Sequence, residues 1–88
     1  MEIRLTNPTN RNTPARVLEI GNVDLYFSYK TLIGVRGPGV SIRRDNEWGS
    51  TTGRHFNEMN LRDVPKGNER EVNDAAVKAI ASLFEPEL

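Results

Sequence analysis

The sequence predicts an α+β fold: a small antiparallel β-meander of three to five strands, a short helix after Trp48, and a C-terminal amphipathic helix packed on one sheet face. Three observations predict it. Apolar and polar residues alternate between residues 17 and 43, as in half-buried strands. Short turn sequences, Gly21-Asn22 and Gly37 to Gly39, separate these segments. From residue 69 onward, apolar residues recur every three or four positions, as on one face of a helix.

The composition limits the classes of protein to consider. A chain of 88 residues makes one domain, residues 1–88, with a thin core, so a homodimer stays open. The chain has 12 lysine and arginine residues and 12 aspartate and glutamate residues, so its net charge is zero. This argues against a protein that coats nucleic acid by its overall charge, but a local basic patch is still compatible with it. Without cysteine there is no disulfide or cysteine-ligated metal. We expect no cofactor.

The apolar runs are too short for a membrane protein. None approaches the roughly 18 residues that a spanning helix needs, and the N-terminus has no signal-peptide core. We therefore expect no membrane partner and a cytosolic location.

The N-terminal third predicts one short strand, a loop and a hairpin. Alternation of Ile3 and Leu5 with charged neighbours indicates a strand, and residues 7–15 are turn formers that predict a mobile loop. Gly21-Asn22 suits the tight turn of a hairpin. On its second arm Val23, Leu25, Phe27 and Tyr29 share the face toward the C-terminal helix, whereas Asp24, Tyr26 and Ser28 share the opposite face.

Two further strands continue the meander. Ile33 and Val35 should share the inward face of the third, and Val40 and Ile42 that of the fourth, which leaves Arg43 outward.

Two helices complete the pattern. A short helix over roughly residues 52–60 would place His55, Phe56 and Met59 on one side, with Ser50, Thr51 or Thr52 as its cap. Residues 61–67 are predicted to be a linker. Asn68 should cap the C-terminal helix, residues 69–84, which Pro86 ends. The predicted core comprises Val17, Leu18 or Ile20, Leu25, Phe27, Ile33, Val35, Val40, Ile42, Phe56, Met59, Val72, Ala76, Ala79, Ile80 and Leu83.

Two stretches resemble the signature of a family of small uncharacterised domains common in bacteriophage genomes. That signature reads Tyr-Phe-Ser-Tyr-Lys-Thr, an arginine a few residues on, then Asn-x-Trp-(Gly/Ser)-x-Thr-Thr-(Gly/Ser)-(Lys/Arg)-His-x-Asn. The likeness covers about half of the chain, residues 23–59, and implies a phage or prophage origin and action in the cytoplasm of a bacterial host; it carries no known activity. The matching residues are Tyr26, Phe27, Ser28, Tyr29, Lys30, Thr31, Arg36, Asn46, Trp48, Gly49, Thr51, Thr52, Gly53, Arg54, His55 and Asn57.

The outward sheet face is the first candidate binding surface. A tyrosine ring among arginines on an open sheet can bind single-stranded nucleic acid by stacking and phosphate contact, although an ordinary solvated face carries charge as well. The candidate binding residues, on this face and in the second signature stretch, are Tyr26, Lys30, Arg36, Arg43, Trp48, Thr51, Thr52, Arg54 and His55.

The second signature stretch has structural and functional interpretations. His55 is expected to form a hydrogen bond with a neighbouring group and so fix the corner after the sheet. A catalytic role is the less favoured alternative. Trp48 is expected at the edge of the core. Thr51 and Thr52 suit helix caps, and the same helix start with Arg54 would attract an anion.

Three functions follow, in decreasing order of support. The first is a non-enzymatic phage accessory protein that binds a host or phage macromolecule, most readily a protein, for example to antagonise a host enzyme or defence complex. The second is a small nucleic-acid-binding module using Tyr26, Lys30, Arg36, Arg43 and Arg54. The third is an enzyme centred on His55, which would require a concave pocket joining His55 to a serine or carboxylate. No metal site is expected.

Overall fold

The computed structural model describes residues 1–8, 13–46 and 48–84 of the chain. It contains six strands: β1 (Ile3–Thr6), β2 (Ala15–Ile20), β3 (Val23–Ser28), β4 (Thr31–Gly37), β5 (Val40–Arg44) and β6 (Lys66–Gly67). Two helices follow β5 and β6 respectively, α1 (Ser50–Glu58) and α2 (Glu69–Ser82).

The strands form one sheet whose spatial order is their order along the chain. β1 to β5 pair antiparallel as a meander, which confirms the predicted α+β fold. β6 adds a short parallel strand beside β5. Gly21, with φ 58°, lies in the predicted β2–β3 turn, and Gly39, with φ 74°, lies in the β4–β5 turn. Each positive φ explains glycine at that position.

α2 covers one face of the sheet, as the periodicity predicts. Buried side chains of β3, β4 and α2 form its core: Val23, Leu25, Val35, Val72, Ala76 and Ala79. The predicted cap is present, because Asn68 Oδ1 accepts from Glu71 N at 2.8 Å and Asn68 N donates to Glu71 Oε1 at 3.1 Å. This reciprocal pair satisfies two amides at the helix start.

α1 covers part of the opposite face, where the sequence predicts an open surface. A second core forms there from Ala15, Val17, Tyr26, Ile33, Phe56, Met59, Leu61 and Val64. Tyr26 is 6% exposed and Arg43 is 7% exposed, so the prediction that they look outward into solvent is wrong. The strand alternation places Tyr26 on the correct face, but α1 and the segment after it fold back across that face.

A β-bulge separates Ile33 from Val35. The register between β3 and β4 shifts at Tyr26 and Phe27, so Leu32 pairs with Phe27 while Gly34 pairs with Tyr26. The extra residue breaks the two-residue alternation. Ile33 therefore belongs to the α1 core and Val35 to the α2 core, and the prediction that they share one face is wrong.

Two predicted loop boundaries also change. Ala15 is buried in β2 rather than part of the 7–15 loop, while residues 9–12, like Pro86, lie outside the described residues. The predicted linker 61–67 contributes Leu61 and Val64 to the α1 core and then forms β6. A Cβ built on Gly34 would lie 2.9 Å from Leu61 Cδ1, so this glycine leaves room for Leu61 to pack against the sheet.

Within residues 1–8, 13–46 and 48–84, no helix is both long and apolar enough to cross a membrane. The same residues contain no group of three or more histidine, aspartate or glutamate side chains placed to hold a metal ion.

Candidate functional site

The two signature stretches meet in space through a buried hydrogen bond. Ser28, the last residue of β3, and His55, in the middle of α1, are both buried. The Ser28 Oγ and His55 Nδ1 atoms lie 2.6 Å apart, with the donor set by the histidine tautomer. This bond fixes α1 against the β3–β4 turn, the role that the sequence favours for His55.

Tyr29 projects from that turn into solvent. Its φ is 57°, a left-handed conformation that costs energy for a bulky residue, and its side chain is 65% exposed. The ring centre lies 6.3 Å from that of His55, tilted by 52°. The prediction that Tyr29 shares the buried face of Val23 and Leu25 is wrong, because β3 ends one residue earlier.

Trp48 lies two residues before the start of α1. It is 45% exposed, and the Arg44 guanidinium carbon lies 4.7 Å from the centre of its ring. Asn46 holds the loop in shape, since its Oδ1 accepts from Trp48 N and from Gly49 N, each at 3.1 Å. The loop that carries the Trp48 ring is therefore fixed by hydrogen bonds, and the ring itself makes a cation–π contact with Arg44.

Tyr29 and Trp48 border a shallow pocket of about 200 Å³. We call this region the Tyr29–Trp48 surface. Its polar lining consists of hydroxyl groups from both signature stretches. The lining residues are Ser28, Tyr29, Thr31, Ile33, Trp48, Thr51 and Thr52.

The threonines line this pocket and do not cap α1. The helix begins at Ser50, with Gly49 in the cap position at φ 115° and without a side-chain cap bond. Thr52 is buried within the helix and Thr51 is exposed. The predicted capping role of Thr51 and Thr52 is therefore wrong, and the anion site inferred from that cap loses its basis.

Three arginines line a separate groove on the outer side of α1, which we call the arginine groove. It measures about 570 Å³ and is lined by Arg43, Asn46, Gly53, Arg54, Phe56, Asn57 and Arg62. Arg43 packs its guanidinium carbon 4.4 Å from the centre of the Phe56 ring and donates to the carbonyl of Arg44 at 2.9 Å. Arg54 and Arg62 are exposed.

Tyr26 and Arg36 lie in a polar cluster at another part of the same sheet face. Burial raises the pKa of Tyr26, and the Asp24 carboxylate raises it further. Burial likewise raises the pKa of Asp24, with a second contribution from Glu19. Arg36 Nη2 donates to the Asn60 carbonyl at 2.7 Å, which ties it to the loop after α1. These contacts favour a structural role for both residues.

The structure thus divides the candidate residues into groups. The Tyr29–Trp48 surface is lined by Trp48, Thr51 and Thr52, and His55 is buried beneath it. The arginine groove is lined by Arg43 and Arg54. Lys30 is exposed on the β3–β4 turn. Tyr26 and Arg36 belong to neither. The sequence pattern did not identify Tyr29 or Arg62 as site residues. Treating Tyr29-Lys30 as a two-residue turn would have identified Tyr29.

Residues 1–75 match the model of a family of unknown function (DUF8033). Because this match spans well over half of the chain, the chain belongs to that family. Neither a curated protein nor a solved structure is significantly similar to the chain.

Proposed function

We propose, from the premise that the chain belongs to this family of unknown function, that it is a non-enzymatic accessory protein that binds a partner protein through the Tyr29–Trp48 surface. The observation that carries the proposal is the exposure of two aromatic rings, 65% for Tyr29 and 45% for Trp48, around one pocket built by both signature stretches.

The chemistry of this surface supports a protein partner. Tryptophan and tyrosine are enriched among the residues that dominate the binding energy of protein interfaces, and Trp48 and Tyr29 border one pocket here. Arg44 is buried and packs against the Trp48 ring. Two features set the backbone that carries the rings: the left-handed φ of Tyr29 and the Asn46 hydrogen bonds that shape the Trp48 loop. A backbone already held in one shape loses less conformational freedom on binding.

The size of the pocket also supports a protein partner. Pockets for small molecules usually measure roughly 300–1,000 Å³, and this one is about 200 Å³. Its volume suits one anchoring side chain of a partner rather than a whole substrate. The hydroxyl groups of Thr31 and Thr51 at its lining would accept or donate hydrogen bonds to the backbone that carries that anchor.

The biological setting of the proposal comes from the resemblance to a phage signature. We place the protein in the cytoplasm of a bacterial host, with a host or phage protein as its partner. Antagonism of a host enzyme or defence complex is one form of this function.

The test compares partner capture by three chains. Wild type, a Tyr29→Ala/Trp48→Ala variant and a Val77→Ala control are used as baits in bacterial lysate, with quantitative mass spectrometry of the bound proteins. Val77 is a matched control because it is an exposed apolar residue on α2. We expect a protein enriched by wild type and by the control to be lost from the double variant.

A captured protein that binds all three baits equally would contradict the proposal. Circular dichroism and thermal unfolding check that the double variant is folded, which we expect because both substituted side chains are exposed.

The arginine groove supports a second candidate, a nucleic-acid-binding module. Arg43, Arg54 and Arg62 line one groove together with the amides of Asn46 and Asn57, and none of the described residues that line it is acidic. Guanidinium and amide groups are suited to phosphate contact. This version uses the groove in place of the sheet face, because Tyr26 is buried.

A gel shift with short single- and double-stranded oligonucleotides tests the second candidate. We expect binding that weakens steeply with salt and is lost in an Arg54→Glu/Arg62→Glu variant, whereas Arg70→Glu, on exposed α2, serves as the control. Absence of a shift at low salt would leave the protein-binding function as the only proposal.

A further inference from the structure

β1 is the edge strand at one end of the sheet. Within the described residues it pairs only with β2, and it stands at the end of the sheet. Gly21 N donates to Glu2 O at 3.0 Å, so Glu2 belongs to the hydrogen-bonded pairs with β2. Because bonded and outward residues alternate along an antiparallel strand, the backbone groups of Ile3 and Leu5 point away from β2. An unpaired edge of this kind is a template for another strand.

The side chains of β1 divide into two chemically distinct faces. Ile3 and Leu5 lie opposite Ile20 and Leu18, on the α2 face of the sheet, and each is 65% exposed. Glu2 and Arg4 lie on the other face. Burying these exposed apolar side chains against a partner would be favourable in free energy, so they indicate an interaction surface.

The two charges make this strand complementary to itself. If two copies of β1 pair antiparallel around Ile3, each Glu2 lies directly opposite Arg4 of the other copy, and Ile3 lies opposite Ile3. Directly opposed unlike charges stabilise such a pair, whereas like charges destabilise it. Pairing around Arg4 instead would oppose two arginines, so the charges select the register centred on Ile3.

The electrostatics within one chain favour the same arrangement. Arg4 Nη2 lies 2.8 Å from Glu19 Oε2, while Glu2 Oε1 reaches Arg4 Nε only at 3.9 Å. The neighbouring carboxylates Glu2, Glu19 and Asp24 thus surround one arginine in a shared surface depression. A second copy would supply each Glu2 with another arginine.

We propose that the chain forms a homodimer by antiparallel pairing of β1 with β1 of a second copy, centred on Ile3, which joins two six-stranded sheets into one. The apolar stripe of Ile3 and Leu5 then lines the seam on the α2 face, and two Glu2–Arg4 pairs line it on the other face. This assembly uses β1, which is not a neighbour of β3 or β4 in the sheet, and so involves none of the residues that line the Tyr29–Trp48 surface.

Sedimentation equilibrium over a wide range of protein concentration tests the dimer. Wild type should approach twice the 9.9 kDa mass of the chain as concentration rises. Glu2→Lys should weaken association about tenfold or more, because both unlike pairs become like pairs. Ile3→Pro should abolish it, since proline removes an outward N–H without breaking a bond to β2.

A mixing experiment tests the register. Arg4→Glu combined with Glu19→Arg preserves the charge pair within the chain but should leave this variant monomeric on its own. Mixed with Glu2→Lys, it should form a heterodimer, because each introduced charge then meets its opposite. Val77→Lys, on the exposed side of α2, should dimerise like wild type.

A wild-type chain that stays at 9.9 kDa at the highest concentration would overturn the proposal. So would a dimer that survives Ile3→Pro unchanged, or a mixture of the two charge variants that fails to associate.

Discussion

At the scale of single residues, burial rather than charge decides what Arg43 does. Its side chain is 7% exposed, its guanidinium packs on Phe56 at 4.4 Å, and two backbone carbonyls accept its hydrogen bonds. Arg54 carries the same charge on the exposed side of α1. Arg43 therefore supports the fold, and Arg54 is available to a partner.

Arg43→Glu should destabilise the domain by about 3 kcal/mol or more, because it removes the contact with Phe56 and buries a carboxylate. Arg54→Glu is the matched control and should change stability by less than about 0.5 kcal/mol. Denaturant unfolding of both variants measures the difference. Equal stability of the two variants would contradict the burial of Arg43.

Asp24 gives a pH dependence with a definite sign. Burial first, and then Glu19, raises its pKa above the ordinary 3.8. The folded chain therefore binds a proton at Asp24 at a higher pH than the unfolded chain does. Ionisation of this carboxyl group costs stability, the cost is complete above the folded pKa, and it disappears below the unfolded value.

Asp24→Asn should remove that dependence. At neutral pH the variant should have a higher free energy of unfolding than wild type, because it does not carry the cost of ionising Asp24. This difference should shrink as the pH is lowered toward 3.8, because wild type regains stability when Asp24 is protonated. Thermal unfolding of both chains across this range provides the measurement. A difference that grows on acidification would show that the Asp24 pKa is lowered rather than raised.

At the scale of elements, α1 and the segment after it form the second layer of the fold. Leu61 is fully buried against Gly34 of β4, and the chain then adds β6 beside β5. The N–H of Arg43 donates to the Pro65 carbonyl at 2.9 Å, which ties this segment to the sheet edge. Residues 61–67 are thus part of the core and the sheet.

Leu61→Ala should destabilise the domain by about 2–5 kcal/mol, because it leaves a cavity over Gly34. Phe84→Ala is the control, since Phe84 is an exposed large apolar residue beyond the end of α2, and it should have little effect. Urea unfolding distinguishes the two. A loss at Leu61 no greater than that at Phe84 would support the linker interpretation instead.

The sequence predicted the elements with strong local signals and missed those set by distant contacts. The Gly21-Asn22 turn, the Asn68 cap and the α2 stripe were confirmed because each depends on neighbouring residues. The bulge at Ile33 and the strand at Lys66 depend on a partner strand, which no local pattern reveals.

The candidate site was predictable to a similar extent. Trp48, Thr51, Thr52 and His55 were identified because they are unusual residues in one short stretch. Tyr29 was missed because the alternation of β3 was extended one residue too far. The covered face of Tyr26 was missed because the direction in which α1 leaves the sheet depends on tertiary packing.

At the scale of the whole molecule, zero net charge conceals an uneven distribution. Residues 26–66 contain seven lysine and arginine residues against four acidic ones, and the rest of the chain has the opposite excess. The arginine groove lies in the basic part, whereas the acidic depression beside β1 lies in the other. One domain therefore presents a basic groove and a separate acidic depression.

The bond between Ser28 and His55 joins the two signature stretches, and we predict that it holds the Tyr29–Trp48 surface together. A double-mutant cycle with Ser28→Ala, His55→Leu and the combined variant tests it by denaturant unfolding. Each single substitution leaves a buried polar group without its partner, whereas the combined variant removes both, so we predict a coupling free energy of about 1 kcal/mol or more. Additivity of the two single effects would contradict the claim.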